Sequence, residues 1–196
     1  MKKLILIDNE RIALEEMKKQ VEHDAEINGI QIITLHIETK EPVEAVANEI
    51  EELIPKNVQE QGVMELHIVI DTCLTDEEHS SERIDENFSG IQCLFVLSNL
   101  LSKTECKYKL SLMSRFFAKQ LDPLEKLNNF KDDANNHFYA IIRKPFLESG
   151  QVDNGFSTMP QYVSILPEER LSKSYLKSFR NILIFPFFGG QYEIQI

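Results

Sequence analysis

Three short apolar runs, each halted by a charged residue, constrain this chain more than any other feature. Lys3-Leu4-Ile5-Leu6-Ile7 runs into Asp8-Asn9-Glu10, and His67-Ile68-Val69-Ile70 runs into Asp71. Tyr139-Ala140-Ile141-Ile142-Arg143 runs into Lys144-Pro145-Phe146. A continuous apolar run of this length is what a strand buried on both faces looks like, as in a parallel sheet covered by helices on both sides. In such sheets ligands gather at the carboxyl ends of the strands. If the three runs lie side by side, two carboxylates, an amide and an ammonium meet in one pocket. That pocket suits a small divalent cation and a phosphoryl group.

The rest of the pattern fits this frame. Ile12, Leu14, Met17 and Val21 recur near a 3.6-residue period and predict a helix that ends at Asn28-Gly29. Residues 30–37 read as a second strand. Pro42 is placed to open a helix at its first turn, with Val43, Val46, Ile50 and Leu53 as its stripe and Pro55 as its stop. Residues 72–89 are rich in Asp and Glu and poor in apolar residues, which predicts a long, acidic, exposed loop. Loops of that length are often functional, and a partner-binding lid is the sharper reading. A third helix follows Gly90 on Ile91, Leu94, Phe95, Leu97 and Leu101. A strand over 108–113 ends at Ser114, a short helix spans 123–130, and the fifth strand is 139–142. The order predicts an α/β fold with a five-stranded parallel sheet and helices on both faces. Residues 1–148 form this unit. Residues 149–196 read as a C-terminal extension with a helix at about 168–180 and an apolar strand or tail at 181–188. Pro186 makes that last run an edge strand or ordered tail, not a central strand.

Composition narrows the function. The chain of 196 residues carries a formal net charge of −11. The whole acidic excess falls within residues 1–148, so the average field argues against nucleic acid and anionic membranes as partners. Cys73, Cys93 and Cys106 are sparse and form no CxxC pair, which fits reduced thiols in a cytoplasmic protein. No segment resembles a signal peptide or a membrane span. The 5 histidines show no paired metal-ligand spacing. Neither a Walker A loop nor a GxSxG elbow is present.

With acids after strands one and three, a hydroxyl after strand four and Lys-Pro after strand five, residues 1–148 resemble the receiver domain of bacterial response regulators. That resemblance implies a doubly wound flavodoxin/CheY-like fold. It implies Asp71 as phosphoacceptor, Ser114 as switch hydroxyl and Lys144 as the ammonium that pairs with a phosphoryl oxygen. It implies an Mg²⁺ site made by Asp8, Asp71, the backbone carbonyl of Cys73 and Asn9. The implied partner is a histidine kinase or phosphotransfer protein. A carboxylate can act as nucleophile toward phosphorus, and a divalent ion offsets the repulsion between the two anions.

The sequence also departs from the receiver pattern. Asn9 stands where a second acid is usual, Thr75 where a proline is usual, and Arg115 where a small residue is usual. Ile141 replaces the switch aromatic, with Tyr139 two residues earlier. The loop before Gly90 is longer than in compact receivers. These departures favour an alternative, a pseudo-receiver that binds proteins without being phosphorylated. A haloacid dehalogenase-type phosphohydrolase is a further rival, but Cys73 stands where that family wants a second Asp. Blander roles remain open too: Asp8, Asn9 and Asp71 as caps, Lys144 as a surface lysine. Residues 149–196 carry no DNA-binding signature. They suit an added helix and strand, a homodimer surface, or the start of an output region.

Overall fold

The computed structural model describes residues 1–54, 63–81, 83–115, 118–121, 123–132, 137–144 and 183–188. Five strands, β1 (Lys2–Asp8), β2 (Ile30–His36), β3 (Glu65–Asp71), β4 (Lys107–Ser114) and β5 (Phe138–Arg143), form one sheet in the order β2-β1-β3-β4-β5. Every neighbouring pair is parallel. The helices are α1 (Arg11–Ile27), α2 (Pro42–Leu53), α3 (Asp76–His79), α4 (Ser89–Leu101), α5 (Ala118–Leu121) and α6 (Glu125–Asp132).

Each central strand feeds two cores, because successive side chains point to opposite faces. Ile5 and Ile7 of β1 join Ile68 and Ile70 of β3 on one face, with α2, α4 and α6 packed over them. Leu4, Leu6 and Val69 point the other way and meet α1 and the C-terminal residues Leu183, Ile184 and Phe187. Strands buried on both faces have no polar side to show, which is why their sequences do not alternate. Edge strand β2 is less covered, with Gln31, Thr34 and His36 exposed.

The helices follow their predicted stripes closely. α1 buries Ala13, Leu14, Met17, Val21 and Ala25. Ile12 is the exception: it is 46% exposed, and Ala13 takes the inward place. Gly29 ends the helix with φ +64, a left-handed conformation that glycine adopts without a Cβ penalty. Pro42 stands in the first turn of α2, as expected.

One stretch differs from the sequence reading. The segment between β3 and α4 is not a bare exposed loop, since it contains α3, capped by Thr75, whose hydroxyl accepts from Glu78 N. In the extension, where an edge strand or an ordered tail was expected, the final apolar run contains a 3₁₀ turn, Phe185–Phe188. Proline lacks the N–H that a ladder needs, and docking onto the sheet face buries this run without strand pairing. The helix expected at 168–180 lies outside the described residues. Among the described residues, no helix is long and apolar enough to cross a membrane.

Candidate functional site

The carboxyl ends of β1 and β3 are neighbours in the sheet, and Lys144 follows β5 at the same edge. The three chain positions anticipated from the sequence therefore meet. Lys144 Nζ lies 2.9 Å from Asp8 Oδ2 and 3.1 Å from Asp71 Oδ2. A third acid completes the cluster: Glu10 Oε2 is 2.6 Å from the same ammonium. All four side chains are buried, the most exposed being Glu10 at 7%. Asp8 has a second role, because its Oδ1 accepts from Glu10 N at 2.8 Å and so fixes the turn into α1.

Backbone contacts lock the frame around these groups. Thr72 donates to Met113 O from both its N–H and its hydroxyl, tying the end of β3 to β4. Lys144 N donates to Ser114 O. Ser114 is fully buried at the end of β4, and Arg115 behind it is half-buried. Gly90, at the start of α4, donates to Thr72 O. A Cβ at Gly90 would stand 1.9 Å from Asp71 O, so only glycine lets α4 approach the end of β3 this closely.

Burial and charge pull the ionisable groups in opposite directions. Burial pushes the Asp8 carboxyl up from its ordinary range, the Asp71 charge adds to that push, and the Lys144 ammonium opposes it. Burial also pushes Asp71 up, against Lys144 and then His79. Burial works to lower Lys144, but Asp71, Asp8 and Glu10 together outweigh it and hold the ammonium well above the usual lysine range. These directions describe one state: Lys144 keeps its charge, and Asp8 and Asp71 bind protons more readily than isolated carboxylates.

The segment between β3 and α4 adds a residue to this pocket. Glu78 clasps the two ends of the segment: its carboxylate accepts from Leu74 N at 2.9 Å and from Ser89 N and Oγ, both at 2.5 Å. The next residue, His79, thereby faces the acids. Its Nε2 is 2.9 Å from Cys73 O, 3.0 Å from Asn9 Oδ1 and 3.7 Å from Asp71 Oδ2. Its Nδ1 is 3.6 Å from Glu10 Oε1. Beside this cluster an open cavity of about 840 Å³ lies at the ends of β1 and β2, with Asn9, Glu10, His36 and Asp76 in its wall. Asp71 itself is only 2% exposed.

The structure thus brings together Asp8, Asn9, Asp71, the Cys73 carbonyl and Lys144, with Ser114 at the same sheet edge. The sequence reading missed Glu10 and His79. Glu10 had a signal, since it stands two residues after Asp8 in the string that ends β1. His79 had none, because folding alone brings it to Asn9, 70 residues earlier in the chain.

Among the described residues, no three His, Cys, Asp or Glu side chains are arranged around a common metal position. Lys144 stands among the three carboxylates. The donors nonetheless fit a divalent cation. Three buried acids exceed one ammonium, and Asp8 Oδ2 and Glu10 Oε2 accept no well-aligned hydrogen bond. The Cys73 carbonyl and the Asn9 amide oxygen add two neutral oxygen donors beside them, both next to His79 Nε2. No protein-family model, curated protein or solved structure matches the chain.

Proposed function

We propose that the chain is a receiver-like phosphoacceptor of a phosphorelay, with Asp71 as the accepting carboxylate. The observation that carries this reading is the convergence of Asp8, Asp71 and Lys144, from three separate strand ends, within 3.1 Å of one ammonium nitrogen. The strand order β2-β1-β3-β4-β5 supports it, being that of the flavodoxin and CheY folds. Glu10 supports it too, since it supplies the second acid that Asn9 does not. In the proposed step an Asp71 oxygen attacks phosphorus. The bond from phosphorus to its donor breaks, and the donor leaves with the electron pair. Lys144 pairs with a phosphoryl oxygen as charge builds there. The Ser114 hydroxyl would donate to another once phosphate is bound and bias the surface around β4 and β5. Asp8, Asp71, Glu10, Asn9 and the Cys73 carbonyl are the groups that would hold Mg²⁺, whose contribution when bound is to offset anion–anion repulsion. The donor is a histidine kinase, a phosphotransfer protein or a small phosphodonor. On this reading the chain works in the cytoplasm, where its three buried cysteines stay reduced.

One observation favours a second reading, the unphosphorylated protein-interaction module. Asp71 is shut from solvent at 2% exposure, with His79 before it and Lys144 against it. A single experiment separates the two. With Mg²⁺ and acetyl phosphate, the intact protein should gain the mass of one phosphoryl group, and Asp71→Asn should not. A gain that persists in Asp71→Asn defeats the first reading, and no gain in either protein selects the second.

A further inference from the structure

The residue that least resembles a receiver pocket is the imidazole of His79. It is delivered by α3 and held by two independent fastenings, the Thr75 cap and the Glu78 clasp. Its Nε2 stands 2.9 Å from Cys73 O and 3.0 Å from Asn9 Oδ1, with Asp71 Oδ2 at 3.7 Å. Ligands that neighbour one another around an octahedral ion with bonds of about 2.1 Å are spaced roughly 3 Å apart. The nitrogen therefore already stands at ligand-to-ligand spacing from two oxygens and close to it from a carboxylate. A single Nε2 proton cannot serve both neutral oxygens at full strength, whereas a cation would be attracted to all of them. The opposite ring nitrogen, Nδ1, faces the buried Glu10 carboxylate at 3.6 Å. Metal-bound imidazoles commonly have a carboxylate in that position, orienting the ring and raising its basicity.

We propose that His79 gives this pocket a preference for a first-row transition ion over Mg²⁺. His79 Nε2, Asp71, Asn9 Oδ1 and the Cys73 carbonyl are the ligands, and Glu10 orients the ring. Imidazole suits zinc, cobalt, nickel and iron, while Mg²⁺ takes oxygen ligands. The exchange of a second acid for Asn9 follows the same logic. A neutral amide oxygen weakens the hold on a hard ion, and a nitrogen ligand recovers affinity only for a softer one. The inference rests on the phosphoacceptor pocket described above and names the metal class it takes.

The test is calorimetry of the full-length, metal-free protein with Co²⁺, Zn²⁺ and Mg²⁺, alongside the visible absorption of bound Co²⁺. The wild type is expected to bind one Co²⁺ at least about tenfold more tightly than Mg²⁺. His79→Gln is expected to lose Co²⁺ affinity by about tenfold or more, and to alter the Co²⁺ spectrum, while Mg²⁺ affinity stays within about threefold. Asn9→Ala should weaken Co²⁺ as well, and His23→Gln, at an exposed position of α1, should leave it unchanged. Equal Co²⁺ affinity in wild type and a folded His79→Gln overturns the inference, as does Co²⁺ binding lost with His23. Acetyl phosphate labelling of Asp71 is read separately. Labelling without His79-dependent selectivity defeats only the metal preference. His79-dependent selectivity without labelling defeats only the phosphoacceptor reading.

Discussion

Lys144 is one ammonium set against three buried acids, so its loss leaves more uncompensated charge than the loss of any single partner. Removing one member of a buried ion pair costs about 3–5 kcal/mol. Lys144→Met should fall in that range at neutral pH, read from urea unfolding. The sign of its pH dependence follows from the raised carboxyls. Burial already pushes Asp8 and Asp71 up, and Lys144 is what opposes it. Without the ammonium their folded values lie further above the unfolded ones. The folded state then holds protons that the unfolded chain has released, so the variant should weaken as pH rises from about 4 toward neutrality. A variant that instead gains stability over that span would refute the arrangement. Gly90 makes a second residue-level case. Glycine to alanine in a helix ordinarily stabilises by about 1 kcal/mol. Here the new Cβ would meet Asp71 O at 1.9 Å, a backbone atom that cannot swing aside. Gly90→Ala should therefore cost about 1–3 kcal/mol, the usual range for overpacking. If Asp71 accepts a phosphoryl group as proposed, Gly90→Ala should also slow that labelling, because Asp71's own carbonyl must shift.

Strand β3 and the C-terminal 3₁₀ turn are joined through a histidine. His67 is fully buried, its Nδ1 bonded to Leu183 O at 2.9 Å and its Nε2 to Ser111 Oγ at 2.8 Å. Tyr139 and Phe187 pack edge-on against its ring. Burial lowers its pKa from 6.5 to about 4, against the pull of the Leu183 carbonyl. Between those values the unfolded chain binds a proton that the folded one refuses, so this contribution is complete above 6.5 and shrinks as pH falls. Near pH 5 the loss is about 2 kcal/mol relative to neutrality. Urea midpoints at pH 7 and pH 5 should separate by that much more in wild type than in His67→Gln, and equal separations would refute the coupling. The elements the sequence disclosed were those with a period or an abrupt end. All five strands and the stripes of α1, α2 and α4 belong to that class. Helix α3 has no apolar stripe and was hidden in an acidic run, though Thr75 and Glu78 have the spacing of a capping box. Glu10 was passed over although it stands two residues after Asp8, in the charged string that halts β1. His79 was not legible, because only tertiary folding brings it to Asn9 and Asp71. The last turn stayed open between strand and tail for the same reason: packing against β3, not local pattern, decides its conformation.

Among the described residues the molecule is a sheet with two cores, and the two faces are closed differently. One is covered by α2, α4 and α6, all in the first 132 residues of the chain. The other is covered by α1 and by Leu183, Ile184 and Phe187, which return from far along the chain. That return seals Val69, Met113, Ala140 and Ile142, the residues that back the strands ending at the acidic pocket. Leu183 is 0% exposed, Ile184 6% and Phe187 7%. Burial of each such side chain is worth about 1.5–3 kcal/mol, so the turn contributes roughly 5–9 kcal/mol before the cost of ordering it. Domains of ordinary stability hold about 5–15 kcal/mol in total. Leu183→Asp places a charge in this seam, and undocking the turn is its cheapest relief. The variant should unfold at a markedly lower urea concentration and bind an apolar dye that the wild type does not. It should also lose the acid sensitivity assigned to His67, since an undocked turn returns that ring to water and its pKa toward 6.5. The two outcomes are linked through one hydrogen bond, His67 to Leu183 O. An unchanged urea midpoint, or a lowered midpoint with the full pH 5 penalty retained, would show that the turn does not seal this face.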